Sequence, residues 1–352
     1  MASRGAPCGK GEPIKTPGLV TIMVPVLNGE LFLPLALDSL LAQDYQHFEI
    51  VILDNQSTDR TAEICRAYAC RDPRVRYVLD TVNRISHDAA NHLGTFIEGE
   101  FCMIACDDDL WTPNFLSVLV RYLQRHPDVG LVFPNAYYVD VEGACGTQRL
   151  LSRRHLYACG DSPSANVWRY LGQRRVVPTI FGLYRSEAYL AALPFGTFDE
   201  TIADVDNLFL IKLMAQTRVH AIDEVLFFYR NKYRGYDPSL ASGSPKGESV
   251  FHAWWFFVQH QWRFVQKIIQ VVQGAQLSWP VKCALQVRAY YTFLVTITVL
   301  RLRAVIGRVL VLLRLREGPP RKKDIHFEKR STALREAGYD PVGKNDVGKE
   351  QP

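Results

Sequence analysis

The sequence predicts an α/β protein in which helices flank a single mixed, mostly parallel sheet. Between residues 19 and 106, β-branched and apolar runs alternate with segments of helical periodicity, in the order β-α-β-α-β-α-β. Hydrophobic residues make up 48% and charged residues 22% of the 352-residue chain, which is an ordinary globular balance. A chain of this length holds one large domain with a smaller appendage, or two domains.

The first strand is predicted at Leu19–Val24, where the run LVTIMV stops at Pro25. A helix is predicted over residues 29–43, because its apolar positions recur at helical spacing and Pro34 falls in the first turn, where proline is tolerated. The run FEIVIL predicts the second strand at Phe48–Leu53.

The second helix is predicted to follow a Ser-Thr-Asp cap at residues 57–59. A third strand is predicted at Val75–Leu79, a third helix over residues 88–99, and a fourth strand over residues 100–106. Alternation of this kind favours parallel strands joined by crossover helices.

The second half of the chain is predicted to change from short strands to helices. Strands are predicted at residues 130–140, 179–185 and 224–230, with one helix at residues 205–216. The predicted organisation is a flexible N-terminus (1–18), an α/β domain (19–240), a C-terminal helical segment (245–315) that associates with a membrane, and a disordered polar tail (316–352).

A basic segment predicts an anionic partner. Residues 301–330 contain ten Lys/Arg and three acidic residues, so this segment carries +7 while the whole chain carries +5. The basic residues alternate with Leu and Val, which favours an anionic membrane surface, and no nucleic-acid partner is predicted. We expect residues 289–313 to form an interfacial amphipathic helix or hairpin, because the apolar run Ala289–Leu300 is too short to span a bilayer.

Eight cysteines are scattered without a Cys-x-x-Cys pair or histidines at zinc spacing. This pattern indicates a reducing compartment, with no structural zinc and no disulfide framework, and Cys102 and Cys106 read as core thiols. The N-terminus has no apolar signal core, which predicts a cytoplasmic protein. The aromatic stretch Trp254–Trp262 is consistent with core packing, a carbohydrate-stacking platform or an interface belt.

Polar clusters follow three of the predicted strands: Asn28, Asp54 with Asn55, and Asp107 to Asp109. Ligands of such sheets collect at the carboxyl ends of the strands. Mg²⁺ takes one or two carboxylates and completes its shell with water and substrate phosphates, so paired Asp residues suit a metal–diphosphate. No glycine-rich phosphate loop occurs in the sequence.

A second acidic cluster, FDETIADVDN, contains Asp199, Glu200, Asp204 and Asp206. A carboxylate that opens the following helix is favoured by the helix N-terminus. For Asp204 or Asp206, a general base that takes a proton from an attacking hydroxyl is the competing interpretation, and spacing alone leaves both open.

Several motifs, in order, resemble those of the inverting family 2 glycosyltransferases with the GT-A fold. The similarity covers about residues 19–232. The matching motifs are Pro25-Val26-Leu27-Asn28, Gln43-Asp44-Tyr45, the run from Asp54 to Asp59, the run from Gly99 through Asp107-Asp108-Asp109 to Pro113, and Gly196 to Glu200.

The resemblance implies a nucleotide site. Asp54 and Asn55 would contact the base of a sugar nucleotide, commonly uracil, and the segment from Pro25 and Val26 to Asn28 would line the same pocket. Arg84 would also reach the nucleotide. Asn55 stands where the family usually has Asp.

The resemblance also implies a metal site and a base. Asp107 would touch the ribose or the metal, and Asp108 would ligate it. Cys106 stands in place of the first Asp of the family's Asp-x-Asp motif, and Asp107-x-Asp109 offers a shifted version that makes Asp109 a second metal candidate. Asp206 or Asp204 would be the catalytic base.

Taken together, the sequence predicts a metal-dependent inverting glycosyltransferase that uses Mn²⁺ or Mg²⁺ and a nucleotide-sugar donor, a UDP-sugar by resemblance. The expected acceptor is a glycan or a lipid-linked sugar of surface polysaccharide or glycolipid biosynthesis, at the cytoplasmic face of a membrane. A glycosyltransferase-like binding or scaffold subunit without activity is the alternative, which Cys106 and Asn55 motivate. A glycoside hydrolase with two carboxylates fits the strand-end cluster less well.

Overall fold

The parallel half of the sheet is centred on β1 (Thr16–Val26), because β2 (Phe48–Asp54) and β4 (Gly99–Ile104) both pair with it in parallel. Strand β3 (Val75–Leu79) extends this half beyond β2, also in parallel. All four strands lie where the sequence predicts them. The computed structural model describes residues 15–84, 86–139, 145–149, 162–172, 177–195, 205–230 and 250–312.

Three helices connect these strands: α1 (Leu33–Leu41), α2 (Thr61–Arg71) and α3 (Ser86–Leu93). Pro34 occupies the first turn of α1, as expected. The third helix is shorter than predicted, because a 3₁₀ turn at Gly94–Phe96 ends it before β4 begins.

The cap predicted for α2 is only partly correct, because Asp59 Oδ1 accepts a hydrogen bond from the backbone N–H of Thr61, the first residue of the helix, at 3.0 Å. The N-cap residue is Arg60, and it makes no side-chain capping hydrogen bond. The side chains of Ser57, Thr58 and Asp59 lie in the preceding loop, where Ser57 and Asp59 accept hydrogen bonds from the backbone of the loop after β1. Backbone amides of the loop after β1 bind the side-chain oxygens of Ser57 and Asp59, and the helix begins at Thr61.

The second half of the sheet is mixed. Strand β8 lies between β4 and β6 and is antiparallel to both, β6 and β9 are parallel, and β5 is antiparallel to β9. The remaining elements of this half are β5 (Leu110–Trp111), α4 (Phe115–Arg125), β6 (Val129–Val139), β7 (Cys145–Arg149), α5 (Pro163–Gly172), β8 (Leu183–Arg185), α6 (Ser186–Ala192), α7 (Val205–Met214) and β9 (Arg218–Arg230).

The strand predicted at residues 179–185 is only partly correct. Residues Val177–Phe181 form a 3₁₀ turn, and only the last three residues pair as a strand. Gly182 joins the two pieces at a point where an added Cβ would lie 2.4 Å from the carbonyl oxygen of Val132. The close approach of the turn to β6 therefore replaces a longer strand.

Two C-terminal helices, α8 (Val250–Gly274) and α9 (Trp279–Leu312), pack against the body of the protein. Val265, Ile268 and Val272 of α8 and two residues of α9, Leu285 and Ala289, are buried in the same core cluster as residues of the sheet. The helical prediction is confirmed for these residues.

The hairpin alternative for residues 289–313 is wrong as far as residue 312, because α9 is one continuous helix there. Within the stretch Trp254–Trp262, Trp262 is partly exposed and packs against Tyr290 and Phe293. Neither α8 nor α9, nor any other helix in the described part of the chain, combines the length and the apolar character that crossing a bilayer requires. The tail at residues 316–352 lies outside the described residues.

Candidate active site

The loops after β1, β2, β3 and β4 meet at one edge of the sheet because the hydrogen-bond ladder continues past the strand ends. The amides of Asn55, Asp80 and Ala105 each donate to a carbonyl of the neighbouring strand at 2.9 Å. The predicted polar clusters are therefore side by side at the carboxyl edge, where a parallel sheet binds its ligands.

The loop after β1 is tied to the loop after β2 by reciprocal hydrogen bonds. The backbone N–H of Asn28 donates to Ser57 Oγ at 2.9 Å, and that of Thr58 donates to Asn28 Oδ1 at 2.8 Å. The backbone N–H of Gly29 donates to Thr61 Oγ1 at 2.8 Å. The predicted pocket residue Asn28 thus shapes the loops through its side chain.

Two residues of these loops adopt the left-handed region: Asn28 has φ 53° and Gln56 has φ 64°. Asparagine tolerates this conformation better than glutamine, and strained backbone of this kind concentrates at functional sites. Beside them, an added Cβ on Gly29 would lie 2.6 Å from Asp107 Oδ2. Only glycine allows the Asp107 carboxylate to approach the loop so closely. In the sequence, the Asn-Gly pair that follows a strand is the pattern that could have indicated this close approach.

Asp54 is fully buried at the end of β2. Its Oδ1 accepts a hydrogen bond from the backbone N–H of Ser57, and its Oδ2 accepts one from the hydroxyl of Tyr77, both at 2.9 Å. Burial and this hydrogen bond raise the pKa of Tyr77 to about 12. These two hydrogen bonds fix the orientation of the Asp54 carboxylate at the carboxyl edge of the sheet.

Asn55 holds the loop after β3. Its Nδ2 donates to Asn83 Oδ1 at 3.1 Å and to the carbonyl oxygen of Arg84 at 2.6 Å, and its Oδ1 accepts from the backbone N–H of Arg84 at 2.6 Å. An aspartate could not donate the first two bonds. Asparagine at this position is therefore explained by the loop that it binds.

Arg84 is anchored by a buried carboxylate. Its Nε donates to Asp80 Oδ2 at 2.8 Å, and His92 Nδ1 lies 3.2 Å from the same oxygen. Burial raises the pKa of Asp80, but hydrogen bonds from Val82 N–H, Arg84 and His92 outweigh it, so the pKa is lowered. The Arg84 side chain is 31% exposed.

Asp108 and Asp109 are positioned by Arg230, the last residue of β9. The backbone N–H of Arg230 donates to Asp109 Oδ1 at 2.8 Å, and its Nε donates to the carbonyl oxygen of Asp108 at 2.7 Å. The buried guanidinium stacks over Phe32 at 4.6 Å. Sequence reasoning missed Arg230, because the pairing of β5 with β9 that brings it here spans more than 100 residues.

Cys106, Asp108 and Asp109 form the one potential metal-binding group among the described residues. One ligand atom from each lies within 4.8 Å of the other two. Asp109 Oδ2 is buried and has no hydrogen-bond partner among the described residues. Burial, and then the charge of Asp108, raise the pKa of Asp109 well above its ordinary value. A divalent cation fits this donor set, because its positive charge would stabilise the buried Asp109 carboxylate beside Asp108.

The other predicted site residues are less closely grouped. Pro25 is half-buried, and Val26 is buried in the core. Asp206 lies in the first turn of α7 with an exposed side chain and does not belong to the metal-binding group. Asp204 lies outside the described residues, as do Asp199 and Glu200.

Comparison with known proteins finds similarity to one family. Residues 21–186 match the family model described as glycosyl transferase family 2. Glycosyltransferase GlyG of Streptococcus pneumoniae is 33% identical over 183 residues, which cover 49% of this chain and 58% of GlyG. The chain thus spans less than two thirds of the length of the curated relatives that it matches first.

Solved structures share the fold at low sequence identity. TarS (residues 1–349) of S. aureus in complex with UDP-GlcNAc has a TM-score of 0.56 and 18% identity, over 78% of this chain and 72% of that one. The mannosyltransferase PcManGT of Pyrobaculum calidifontis, in complex with GDP-Man and Mn²⁺, has a TM-score of 0.50 and 20% identity, over 85% and 81%.

We expect Asn55→Asp to destabilise the protein. The carboxylate would face the carbonyl oxygen of Arg84 and Asn83 Oδ1 without a proton to donate, at a cost of about 1–3 kcal/mol in the free energy of unfolding, measured by urea denaturation. Asn114→Asp is the matched control, because Asn114 only accepts a bond there, from Thr112 Oγ1. Equal losses in the two variants would contradict the role given to Asn55.

Proposed function

We propose that this protein, whose residues 21–186 match the model of glycosyl transferase family 2 and whose fold is GT-A, transfers a sugar from a nucleotide-diphosphate donor to an acceptor hydroxyl with inversion of configuration. The observation that supports this most directly is the carboxyl edge itself. There a buried, unpartnered carboxylate oxygen of Asp109 lies with Asp108 and Cys106, beside loops that carry Asp54 and Asn55. Such an arrangement suits a metal-bound diphosphate.

The donor site is proposed to lie between the two tied loops and the loop after β3. Asp54, Asn55 and the segment from Pro25 to Asn28 would contact the base, and Arg84 would meet the diphosphate. Asp107 would contact the ribose, because its carboxylate already lies against Gly29. A UDP-sugar is the proposed donor by family resemblance, and the complex of TarS with UDP-GlcNAc supports this proposal.

Cys106, Asp108 and Asp109 would hold the cation, which we propose to be Mn²⁺ or Mg²⁺. When bound, it would neutralise the charge that develops on the leaving diphosphate. Arg230 fixes Asp108 and Asp109 from behind through its backbone and its Nε. The fold therefore orients the Asp109 carboxylate and fixes the backbone of Asp108 before any ligand arrives.

The base is proposed to be Asp206 or Asp204. It would take the proton from the acceptor hydroxyl as that oxygen attacks the anomeric carbon from the face opposite the diphosphate. Asp206 is exposed at the N-terminus of α7, so an acceptor from solvent can reach it. No nucleophile of the enzyme is required in a single displacement.

A lipid-linked or glycan acceptor at an anionic, cytoplasmic membrane face is proposed from α9. Its exposed apolar residues recur at spacings of three, four and eight, so they share one face of the helix. The basic residues of segment 301–330 follow on the chain and would attract anionic lipid. The exposed residues of this face are Trp279, Val287, Tyr290, Tyr291 and Leu294.

An inactive scaffold subunit is the alternative. Two departures from the family motifs motivated it, and the structure gives each a physical account. Asn55 is required by its hydrogen bonds to Asn83 and Arg84, and Cys106 belongs to the metal-binding group. Neither departure therefore favours loss of activity.

Isothermal titration with UDP in the presence of Mn²⁺ is expected to show binding that disappears when the ion is chelated. Asp108→Asn should weaken this binding at least about tenfold, because it removes a charged ligand of the ion. Asp44→Asn makes the same chemical change at an exposed site just after the C-terminal end of α1, away from the carboxyl edge, and it should leave binding unchanged. Absence of metal-dependent UDP binding in the unmodified protein would refute the proposal.

Asn substitution of the true base should reduce sugar transfer by about 10²–10⁴-fold while UDP binding is retained. Asp206→Asn and Asp204→Asn are measured side by side, so each is the control for the other. If both variants keep full transfer activity, neither Asp204 nor Asp206 is the base.

Leu294→Glu is expected to weaken binding to anionic vesicles about tenfold or more in a co-sedimentation assay, because the Leu294 side chain is 61% exposed and its burial in lipid would be lost. Gln124→Glu changes the net charge equally on the exposed face of α4 and should bind as the unmodified protein does. If the two substitutions weaken vesicle binding equally, the effect is one of net charge alone. That result would reject the proposal that the exposed apolar face of α9 binds the membrane.

A further inference from the structure

We propose that Cys106 is a direct ligand of the divalent cation and that its sulfur sets the metal preference of the site. Relative to a site with oxygen ligands alone, Cys106 should favour Co²⁺ and Zn²⁺ over Mn²⁺, and Mn²⁺ over Mg²⁺. This assignment rests on the proposed function, because it concerns the same metal site.

The geometry of the group suits a single ion. Two ligands of one ion lie at most about 4.6 Å apart, since a metal–sulfur bond measures about 2.3 Å and metal–oxygen bonds are shorter. One ligand atom from each of Cys106, Asp108 and Asp109 lies within 4.8 Å of the other two. Shifts of a few tenths of an ångström would therefore bring all three ligands onto one cation.

Asp109 supplies an independent indication of a ligand. Its side chain is fully buried, and its Oδ1 is bound by the backbone N–H of Arg230. Its Oδ2 is also buried, but this oxygen has no hydrogen-bond partner among the described residues. A buried carboxylate oxygen that lacks a donor is costly, and a cation shared with Cys106 and Asp108 would remove that cost.

The fold treats Cys106 differently from the other cysteines of the α/β core. Cys65 and Cys102 are buried, and burial raises the pKa of each thiol to about 12, so neither is suited to bind an ion. Cys106 comes two residues after the end of β4, where Ala105 makes the last ladder bond, and it is only half-buried at the edge. The prediction that Cys106 is a core thiol is therefore wrong.

The sulfur changes which ions the group prefers. A thiolate is a soft ligand and selects ions such as Zn²⁺ and Co²⁺, whereas carboxylates alone suit Mg²⁺ and Mn²⁺. On binding, the thiol loses its proton to solvent and the sulfur forms a bond to the ion, so no oxidant or reductant is involved. Affinities for most N, O and S sites also rise from Mn²⁺ to Co²⁺, and the sulfur steepens this order.

Titration of the full-length protein with Co²⁺ alone tests the assignment. The expected result is a thiolate-to-cobalt charge-transfer band in the ultraviolet that is lost in Cys106→Ser and in Cys106→Asp. Cys70→Ser is the matched control, because Cys70 is an exposed thiol on α2, and it should retain the band. A band that is absent from the unmodified protein, or that persists in both Cys106 variants, overturns the assignment.

Selectivity is measured by titration of UDP binding with Co²⁺, Mn²⁺ or Mg²⁺. Loss of an outer-shell partner alone costs about 10–100-fold in metal affinity, so Cys106→Ser should weaken Co²⁺ binding at least as much. Cys106→Asp should shift the ratio of affinities toward Mn²⁺ and Mg²⁺, and retained UDP binding would confirm that the variant is folded. Unchanged preference in Cys106→Asp, with UDP binding intact, rejects the role of sulfur and leaves the proposed function standing. Absence of UDP binding with every ion rejects the proposed function itself.

Discussion

The candidate site depends on the register of the parallel strands β3, β2, β1 and β4. The ladder bonds of Asn55, Asp80 and Ala105 carry this register one residue past the strand ends, so the following loops leave the sheet at one level. A parallel strand pair slipped by one residue would reverse which face each side chain occupies. Since both faces of β2, β1 and β4 are buried in apolar clusters, such a slip is strongly disfavoured, and the polar loops take their positions from the core.

Three buried carboxylates at this edge differ in how their charge is stabilised. Asp54 accepts bonds to both oxygens, and Asp80 accepts bonds from an arginine, a histidine side chain and a backbone amide. Asp109 has a partner for one oxygen only among the described residues. The first two carboxylates act as supports, whereas the third has one oxygen that the described part of the chain leaves without a donor. Incomplete stabilisation, rather than the number of acidic residues, distinguishes a binding site from a structural network.

Sequence periodicity predicted the four parallel strands, and strand-end polarity predicted which loops would meet. What it could not predict depended on long-range contacts. Arg230 and Asp109 are hydrogen-bonded although they lie 121 positions apart in the sequence. The choice of asparagine at position 55 is explained only by its hydrogen bonds to Asn83 and Arg84 in the loop after β3. The predictions that Ser57 and Thr58 cap α2 and that Cys106 is a core thiol were wrong for the same reason. Local propensity does not show which other loop a side chain will bind, or whether it will lie at an edge of the sheet. Asp204 and Asp206 remain predictions, since position near a helix start does not distinguish a helix cap from a base.

The reciprocal hydrogen bonds between the loops after β1 and β2 have a consequence for ligand affinity. Each loop satisfies backbone amides of the other, and both contain a left-handed residue that such contacts hold in place. The conformational entropy of these segments is therefore lost when the chain folds, not when a ligand arrives. A molecule that binds across both loops meets a preorganised surface, so more of its contact free energy should appear as affinity and its association should require little rearrangement of the backbone.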